Sequence, residues 1–240
     1  MALPPPHPSV LPAFTAVPLT PNCKRVLDLA DHLLIGVSPG NSYFSIANLA
    51  RLMRWGHAAF RSLDVVCPDN GLVFTYRALG YTEEEAARKA RKEVSGVRRR
   101  IRRAWERSGV PVDGQRTRLL SELANSPAYK ELRARAEKAL AEDEELYRVC
   151  FGMTRRALRA AAGDVGEDAA DGLDTALAME YLIAELPFFV DTPSILNVPS
   201  SIVSYHAPVE FADLIYTGRS VLRAADNQGH VLLNEGNPLR

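Results

Sequence analysis

Two short apolar runs with a helical pattern between them constrain the fold of this chain most. The run His32–Val37 (HLLIGV) is apolar and ends at a turn-forming segment, residues 38–41 (SPGN), which is typical of a buried strand. Apolar residues recur at helical spacing over 44–60, and Leu63–Cys67 (LDVVC) forms a second strand candidate. A strand, a helix and a strand within about 35 residues predict a βαβ unit, and hence a parallel sheet with a right-handed crossover.

One long helix and several weaker patterns follow along the chain. Thr82 and Glu85 form a capping box, T-x-x-E, which begins a helix, and Gly109 ends it after Ser108. The weaker patterns predict strands over 116–120, 202–205 and 231–233, and helices over 127–148, 150–162 and 171–186, the last ended by Pro187. We therefore expect an α/β fold, with a single Rossmann-like domain over 23–240, a mostly parallel sheet flanked by helices and a helix-rich second half.

The first 22 residues are rich in proline and predict a flexible tail. They hold seven of the 16 prolines, and each proline lacks an N–H and fixes φ, which opposes helix nucleation. We expect ordered structure to begin near Lys24. A polyproline II segment that binds another protein is the alternative interpretation of the same prolines.

The cysteine, histidine and apolar patterns exclude several classes of protein. The 240 residues include 3 Cys and 5 His, with no C-x-x-C and no H-x-x-x-H pair, so we expect neither a disulfide scaffold nor a bound metal ion. No apolar run reaches the ~18 residues that a membrane helix needs, and the N-terminus does not resemble a signal peptide. We expect a cytoplasmic protein that is a monomer or a weak dimer.

The net charge of zero conceals one strongly basic helix. Residues 86–107 hold ten basic and two acidic side chains, a net charge of +8, so the remainder of the chain carries −8. Val94, Val97, Ile101 and Trp105 share one face, which we expect to be buried. The exposed face predicts contacts with the phosphate backbone of a nucleic acid, made by Arg91, Lys92, Arg98, Arg99, Arg102 and Arg103. No aromatic residue interleaves with the arginines, so base stacking is not indicated; a solvated face with acidic partners elsewhere is the alternative.

The turn after the first strand places a serine where it could react. Residues 36–40 match G-x-S-x-G, the nucleophile elbow of α/β-hydrolases, with Ser38 at the centre. Pro39 opposes that interpretation, because the residue after an elbow serine donates its backbone N–H to the oxyanion and proline has none. Ser38 nevertheless lies where parallel sheets place active sites, just before a helix N-terminus. From the turn alone, a helix cap and a catalytic serine both stay open.

Four segments of the chain occur in an order and spacing that is specific in combination. They are 32–45 (HLLIGVSPGNSYFS), the basic helix, 181–189 (YLIAELPFF) and 198–206 (VPSSIVSYH). Together they resemble the signature of the cyclodipeptide synthases, which make a cyclic dipeptide from two aminoacyl-tRNAs. Asn41, Tyr205 and His206 match the Asn/Tyr/His subfamily. The resemblance implies a fold similar to the catalytic domain of class I tyrosyl- and tryptophanyl-tRNA synthetases.

The resemblance also implies covalent catalysis without ATP or a metal ion, because the amino acid arrives activated as a tRNA ester. Ser38 would attack the first ester to form an aminoacyl-enzyme, and the second aminoacyl-tRNA would extend it to a dipeptidyl-enzyme that closes the ring. Tyr181 and Glu185 share a helix face, and by resemblance they hold the first α-ammonium group, with Glu185 also a candidate base. Tyr205 would relay protons near Ser38.

By the same resemblance, further residues position this machinery and line two apolar pockets. The positioning residues are Gly36, Asn41, Tyr129 and His206. The first aminoacyl pocket is expected to contain Leu34, Gly36, Val66, Leu120 and Phe188, and the second Met153, Ala160 and Val203. Because both sets lack a charged side chain, we expect a hydrophobic product.

Two other functions stay open on the sequence. One is a serine hydrolase that uses Ser38 and His206, and the other is a non-catalytic RNA-binding module whose function lies in the basic helix. The favoured interpretation makes two aminoacyl-tRNAs the partners of this protein, with no membrane contact.

Overall fold

A six-stranded sheet forms the centre of the protein. The computed structural model describes residues 14–163 and 173–235. The strands are β1 (Phe14–Pro18), β2 (His32–Gly36), β3 (Ser62–Cys67), β4 (Thr117–Leu119), β5 (Ser201–Tyr205) and β6 (Gln228–Glu235). Their order is β1-β6-β5-β2-β3-β4, with β1 antiparallel to β6 and all other neighbours parallel. The predicted α/β fold with a mostly parallel sheet is confirmed.

Helices cover both faces of this sheet. They are α1 (Pro21–Leu29), α2 (Ile46–Ala59), α3 (Leu72–Ala78), α4 (Glu83–Ser108), α5 (Leu120–Leu123), α6 (Pro127–Glu142), α7 (Glu144–Ala162), α8 (Thr175–Leu196) and α9 (Glu210–Thr217), with 3₁₀ turns at Ser42–Phe44 and Val112–Gly114. Side chains alternate along β2, so Leu33 and Ile35 pack with α2 and α4, whereas Leu34 packs with α6 to α9. Burial on both faces explains the continuous apolar runs of the strands.

The predicted βαβ unit and the start of the basic helix are confirmed. β2 and β3 are parallel neighbours connected through α2. The Thr82 side chain accepts a hydrogen bond from the Glu85 N–H, and the Glu85 carboxylate accepts one from the Thr82 N–H, so the capping box is complete. Gly109 ends α4 at a φ of 73°, in the left-handed region that glycine enters without strain.

The prediction that order begins near Lys24 is wrong, because an edge strand and a capped helix precede it. β1 pairs with β6 on one side only, and an edge strand tolerates a proline such as Pro18. Pro21 begins α1, where its missing N–H is not needed, and the Thr20 side chain caps this helix by accepting from the Cys23 N–H. The tail interpretation is therefore corrected for residues 14–22, whereas residues 1–13 lie outside the described residues.

Two helix boundaries in the second half also differ from the predictions. The break expected near residue 149 lies at Asp143, whose carboxylate caps α7 by accepting from the Leu146 N–H at 3.0 Å. α8 does not end at Pro187 but continues to Leu196, with a kink at Asp191 (φ −159°, ψ 70°). An interior proline costs about 3 kcal/mol, which burial of the flanking apolar side chains offsets at roughly 1.5–3 kcal/mol each. Residues 171 and 172 of the predicted helix lie outside the described ranges.

Candidate active site

The loop after β2 presents Ser38 at the carboxyl edge of the sheet. β2 lies between β5 and β3, so this loop meets residues from both neighbouring strands. Gly40 has a φ of 71°, and Asn41 caps the following 3₁₀ turn by accepting from the Tyr43 N–H at 3.0 Å. Pro39 directly follows Ser38, so the oxyanion donor of a hydrolase elbow is missing.

Tyr205 provides the hydrogen-bond partner of Ser38. Because β5 and β2 are parallel neighbours, their carboxyl ends lie side by side. The Ser38 Oγ and the Tyr205 Oη lie 3.1 Å apart, and the Asn41 Nδ2 donates to the Tyr205 Oη at 3.3 Å. The phenol of Tyr205 is therefore held beside Ser38 by contacts with both Ser38 and Asn41.

His206 supports this arrangement without contacting the serine. Its Nε2 lies 3.5 Å from the Asn41 Nδ2, and its ring stacks on Tyr43 with the ring centroids 3.8 Å apart. Burial lowers the pKa of His206, so the imidazole is neutral near pH 7 and accepts from the amide. No hydrogen bond among the described residues joins His206 to Ser38, so the serine–histidine pair of a hydrolase is not formed here.

Tyr181 and Glu185 approach the serine loop from α8. Glu185 lines the first of two cavities described below, and burial raises the pKa of its carboxyl to about 7, with the Tyr181 hydroxyl opposing part of the rise. Burial also raises the pKa of Tyr181 well above its ordinary value, and the nearby Glu185 adds to the increase. The Tyr181 Oη is buried with no hydrogen-bond partner among the described residues. The Tyr181 phenol and the nearby Glu185 carboxyl are suited to a polar or cationic group of a substrate.

Two cavities meet at Ser38 and Tyr205, which line both of them. The first has a volume of about 60 Å³ and lies on the α6–α9 side of the sheet, and its lining includes Leu34, Gly36, Val66, Leu120, Phe188 and Val203. The second has a volume of about 490 Å³ and lies among α3, α7 and α8, and its lining includes Leu72, Thr75, Met153, Ala160, Tyr181 and Leu182. The serine is therefore reachable from two mainly apolar chambers.

Val203 lies in the first cavity, contrary to the prediction that it lines the second. It is paired with Leu34 across the β5–β2 ladder, and residues directly opposite each other on neighbouring strands project from the same face. Both side chains therefore border the same chamber. The other residues predicted for the first pocket, namely Leu34, Gly36, Val66, Leu120 and Phe188, border the first cavity, and Met153 and Ala160 border the second.

Sequence reasoning missed several residues of these cavities. Phe189 and Pro68 border the first cavity. Phe189 directly follows the predicted Phe188, and Pro68 lies two positions after the predicted Val66. Leu72 and Thr75 border the second cavity from α3. This seven-residue helix is too short to show a helical periodicity, so the sequence contains no signal for it.

Tyr129 lies outside both cavities and supports α8 from behind. Its ring is 2% exposed, and its Oη donates to the Ala184 backbone carbonyl at 2.8 Å. The Tyr129 and Phe188 ring centroids are 5.8 Å apart. This tyrosine therefore contacts the segment of α8 that presents Glu185 and Phe188, and its positioning role stays a prediction.

The basic helix exposes the cationic side chains that the sequence predicts. Val97, Ile101 and Trp105 are buried, whereas Val94 is only half-buried. All six predicted phosphate contacts are exposed, namely Arg91, Lys92, Arg98, Arg99, Arg102 and Arg103. Within residues 14–163 and 173–235, Arg102 alone among them forms an ion pair, with Glu106 at 3.7 Å. This surface therefore retains most of its charge for an external polyanion.

In the part of the chain that the structure describes, no three His, Cys, Asp or Glu side chains lie close enough to hold a metal ion together. None of the helices placed there is long and apolar enough to cross a membrane.

The fold and the site define an α/β enzyme with a serine between two apolar chambers, bordered by a tyrosine and a carboxyl of raised pKa. The sequence model of the family described as "Cyclodipeptide synthase" matches residues 14–235. The chain therefore belongs to the cyclodipeptide synthases, enzymes that make cyclic dipeptides.

Characterised relatives are similar over most of their length. The chain is 38% identical over 226 residues to a cyclo(L-tyrosyl-L-tyrosyl) synthase of Mycobacterium tuberculosis, covering 94% of this chain and 78% of that protein. It is 35% identical over 210 residues to a cyclo(L-leucyl-L-phenylalanyl) synthase of Streptomyces noursei, covering 88% and 87%.

Solved structures of cyclodipeptide synthases have the same fold as this chain. A crystal structure of a cyclo(L-leucyl-L-phenylalanyl) synthase superimposes with a TM-score of 0.83 at 32% identity, covering 93% of this chain and 99% of that one. A structure of a Mycobacterium tuberculosis protein superimposes with a TM-score of 0.79 at 36% identity, covering 96% of this chain and 97% of that one. Its description relates cyclodipeptide synthetases to type I tRNA synthetases. The predicted relation to class I tRNA synthetases is thereby confirmed. The narrower similarity to tyrosyl- and tryptophanyl-tRNA synthetases and the Asn/Tyr/His subfamily stay predictions.

Proposed function

We propose that this protein condenses two aminoacyl-tRNAs into a hydrophobic cyclic dipeptide through acyl intermediates on Ser38. The observation that supports this proposal best is the position of the Ser38 hydroxyl, which lies 3.1 Å from the Tyr205 Oη and borders both apolar cavities. A serine in that position can receive an acyl group from one chamber and present it to an amine in the other.

The first half-reaction is an acyl transfer from tRNA to serine. The Ser38 Oγ bonds to the ester carbonyl carbon, the bond from that carbon to the ribose oxygen breaks, and the serine proton reaches the leaving ribose oxygen. Tyr205 is placed to relay this proton, because its Oη contacts the Ser38 Oγ and is itself held by Asn41. The ester is already activated, so no ATP and no metal ion is needed.

The second half-reaction forms two amide bonds. The amine of the second aminoacyl-tRNA attacks the acyl carbon on Ser38, the serine oxygen leaves and the tRNA ester remains on the new dipeptide; transfer back to Ser38 releases this tRNA. The free amine of the dipeptidyl-enzyme then closes the ring and regenerates the serine. Glu185, with a pKa of about 7, can hold the first ammonium group as a carboxylate or take a proton from an attacking amine.

The cavity linings support hydrophobic substrates. Apart from Glu185 and Tyr205, the first cavity is lined by apolar and small side chains. The second contains mainly apolar and small residues around Asn41, Tyr181 and Tyr205. The products named for relatives combine tyrosine, leucine and phenylalanine. We propose that at least one residue of this product is aromatic or a large aliphatic residue.

Mass spectrometry with a serine variant tests the covalent mechanism. Wild-type protein mixed with hydrophobic aminoacyl-tRNAs should yield a diketopiperazine and an enzyme heavier by one acyl group. Ser38→Ala should lose both signals, whereas Ser42→Ala, an exposed neighbour that borders neither cavity, should keep them. Product from the Ser38→Ala variant at the wild-type rate, or from free amino acids without tRNA, would refute the mechanism. Activity should persist in EDTA.

Salt-dependent binding tests the role of the basic helix. Substituting Arg98 and Arg102 by Gln should weaken tRNA binding and reduce the slope of log K against log salt by about 1.4–1.8 if both contact phosphate. Arg135 and Arg148, exposed arginines on α6 and α7, provide the matched pair of Gln substitutions and should leave the slope unchanged. Equal slopes for the two double variants would exclude α4 as the tRNA surface.

A further inference from the structure

A third cavity lies at the β1–β6 edge of the sheet, and we name it the edge cavity. It has a volume of about 520 Å³ and is bordered by β1, β6, α7, α9 and the loop before α9. It shares no lining residue with either chamber of the active site. Its apolar lining includes Val17, Leu19, Val149, Val209, Leu214 and Leu232. Pockets for small molecules commonly have volumes of about 300–1,000 Å³.

His230 is a buried polar group in the wall of the edge cavity. It is 3% exposed, and its Nδ1 has no hydrogen-bond partner among the described residues. Burial lowers the pKa of His230 to about 4, although the Val203 backbone opposes part of this decrease. The imidazole is therefore neutral near pH 7. The backbone groups of His230 are already bonded, to the Cys23 Sγ and the Leu19 N–H. An imidazole buried with unspent hydrogen-bonding capacity is uncommon and indicates a missing partner.

The lining of the edge cavity has an excess of negative charge. Glu145, Glu210 and Asp213 border it together with a single cation, Arg219. Arg219 pairs with Asp213 at 2.6 Å, and Arg156 pairs with Glu210. Glu145 forms no ion pair within the described part of the chain, so one carboxylate remains for an external cation.

We propose that the edge cavity is a second ligand site, which takes a small apolar molecule with an ammonium group at one end and a hydrogen-bonding group at the other. The apolar body contacts the β1, β6 and α9 side chains, the ammonium pairs with Glu145, and the polar group bonds to the imidazole of His230. An anionic ligand would meet the surplus carboxylate and is disfavoured.

The edge cavity and the first chamber of the active site are separated by one layer of protein. Val203 and Phe189 line the first chamber, Val203 is paired with His230 across the β5–β6 ladder, and the Phe189 and His230 ring centroids are 5.7 Å apart. Because Glu185 gives the first chamber its own carboxyl, an amine could bind there as well. The test must therefore distinguish the two sites.

Calorimetric titration with tyramine, which has an ammonium group, an aromatic body and a hydroxyl, tests the proposal. Tyramine should bind the full chain, and Glu145→Gln should weaken binding about threefold to fivefold, as expected for a partly exposed charge pair. Glu144→Gln is the matched control, since Glu144 lies in the same first turn of α7 but outside the cavity. Phenethylamine, which lacks the hydroxyl, and the His230→Leu variant should each show weaker binding.

Three results would overturn the proposal. The first is the absence of tyramine binding at millimolar concentration. The second is binding that Glu185→Gln abolishes and Glu145→Gln leaves intact, which would assign the amine to the active site. The third is equal affinity for 3-(4-hydroxyphenyl)propionate, in which a carboxylate replaces the ammonium group. Unchanged tyramine binding by Glu185→Gln, with binding by Glu145→Gln weakened about threefold to fivefold, supports the edge cavity.

Discussion

Replacement of Glu185 by glutamine should change how the stability of this protein depends on pH. An unfolded glutamate loses its proton near its ordinary pKa of 4.5, whereas burial raises the pKa of Glu185 to about 7 in the folded protein. Between these values the folded state binds more protons than the unfolded state, so the free energy of unfolding falls as pH rises. Below pH 4.5 and above pH 7 the contribution of this group is constant.

The size of this effect follows from the difference between the two pKa values. About 2.5 pH units at 1.36 kcal/mol per unit corresponds to about 3 kcal/mol. Glu185 borders the first cavity, and water there reduces the cost of its charge. We therefore expect Glu185→Gln, which does not titrate, to gain about 2 kcal/mol relative to wild type between pH 5 and pH 8.

Urea unfolding at pH 5, 6, 7 and 8, followed by the fluorescence of Trp55 and Trp105, measures this difference. All other titrating groups are common to both proteins and cancel in the comparison. Glu131→Gln, at an exposed position on α6, is the matched control and should give a difference that does not vary with pH. A constant difference between Glu185→Gln and wild type over this range would refute the buried-carboxyl argument.

Three further predictions follow from single contacts. Tyr205→Phe removes the hydroxyl that contacts Ser38 and should slow formation of the acyl-enzyme by about 100-fold or more, measured by rapid quench and intact mass. Thr82→Ala removes the capping box of α4 and should lower the free energy of unfolding by about 1 kcal/mol in urea. His32→Leu leaves buried Asp64 without its bond to His32 (3.1 Å) and should lower the free energy of unfolding by about 2–4 kcal/mol.

Each of these predictions has a contradicting result. Wild-type acylation by Tyr205→Phe would show that another group moves the serine proton. No loss of stability in Thr82→Ala would mean that α4 depends on packing alone at its first turn. Unchanged unfolding of His32→Leu would mean that the arginines that pair with Asp64, at 2.8 and 3.0 Å, suffice to compensate its charge.

Local patterns in the sequence account for the elements that were predicted correctly. The β2 and β3 runs, the α2 periodicity and the Thr82–Glu85 box are each specified within a few residues, so no distant contact is needed to recognise them. β1 was missed because proline dominates its surroundings, although a one-sided pairing with β6 tolerates it. The passage of α8 through Pro187 also depends on burial in the surrounding fold, which the local pattern does not show.

The tertiary structure brings the residues of the site together. Ser38 and Tyr205 are 167 positions apart in the chain, and they meet because the sheet order places β5 beside β2. Because β5 lies beside β2, Val203 is paired with Leu34 and borders the first cavity with it. The sequence contains the residue types and the family signature, whereas strand order and register decide which side chains share a chamber.

The sequence by itself determined the βαβ unit, the basic face of α4 and the membership of the chain in a family of cyclodipeptide synthases. These properties depend on residue type and short-range spacing. Only the tertiary structure decided that His206 does not contact Ser38, that burial raises the pKa of Glu185 to about 7, and that His230 borders a cavity of its own. Burial and contact depend on elements far apart in the chain, because they arise only when the sheet and its helices are assembled.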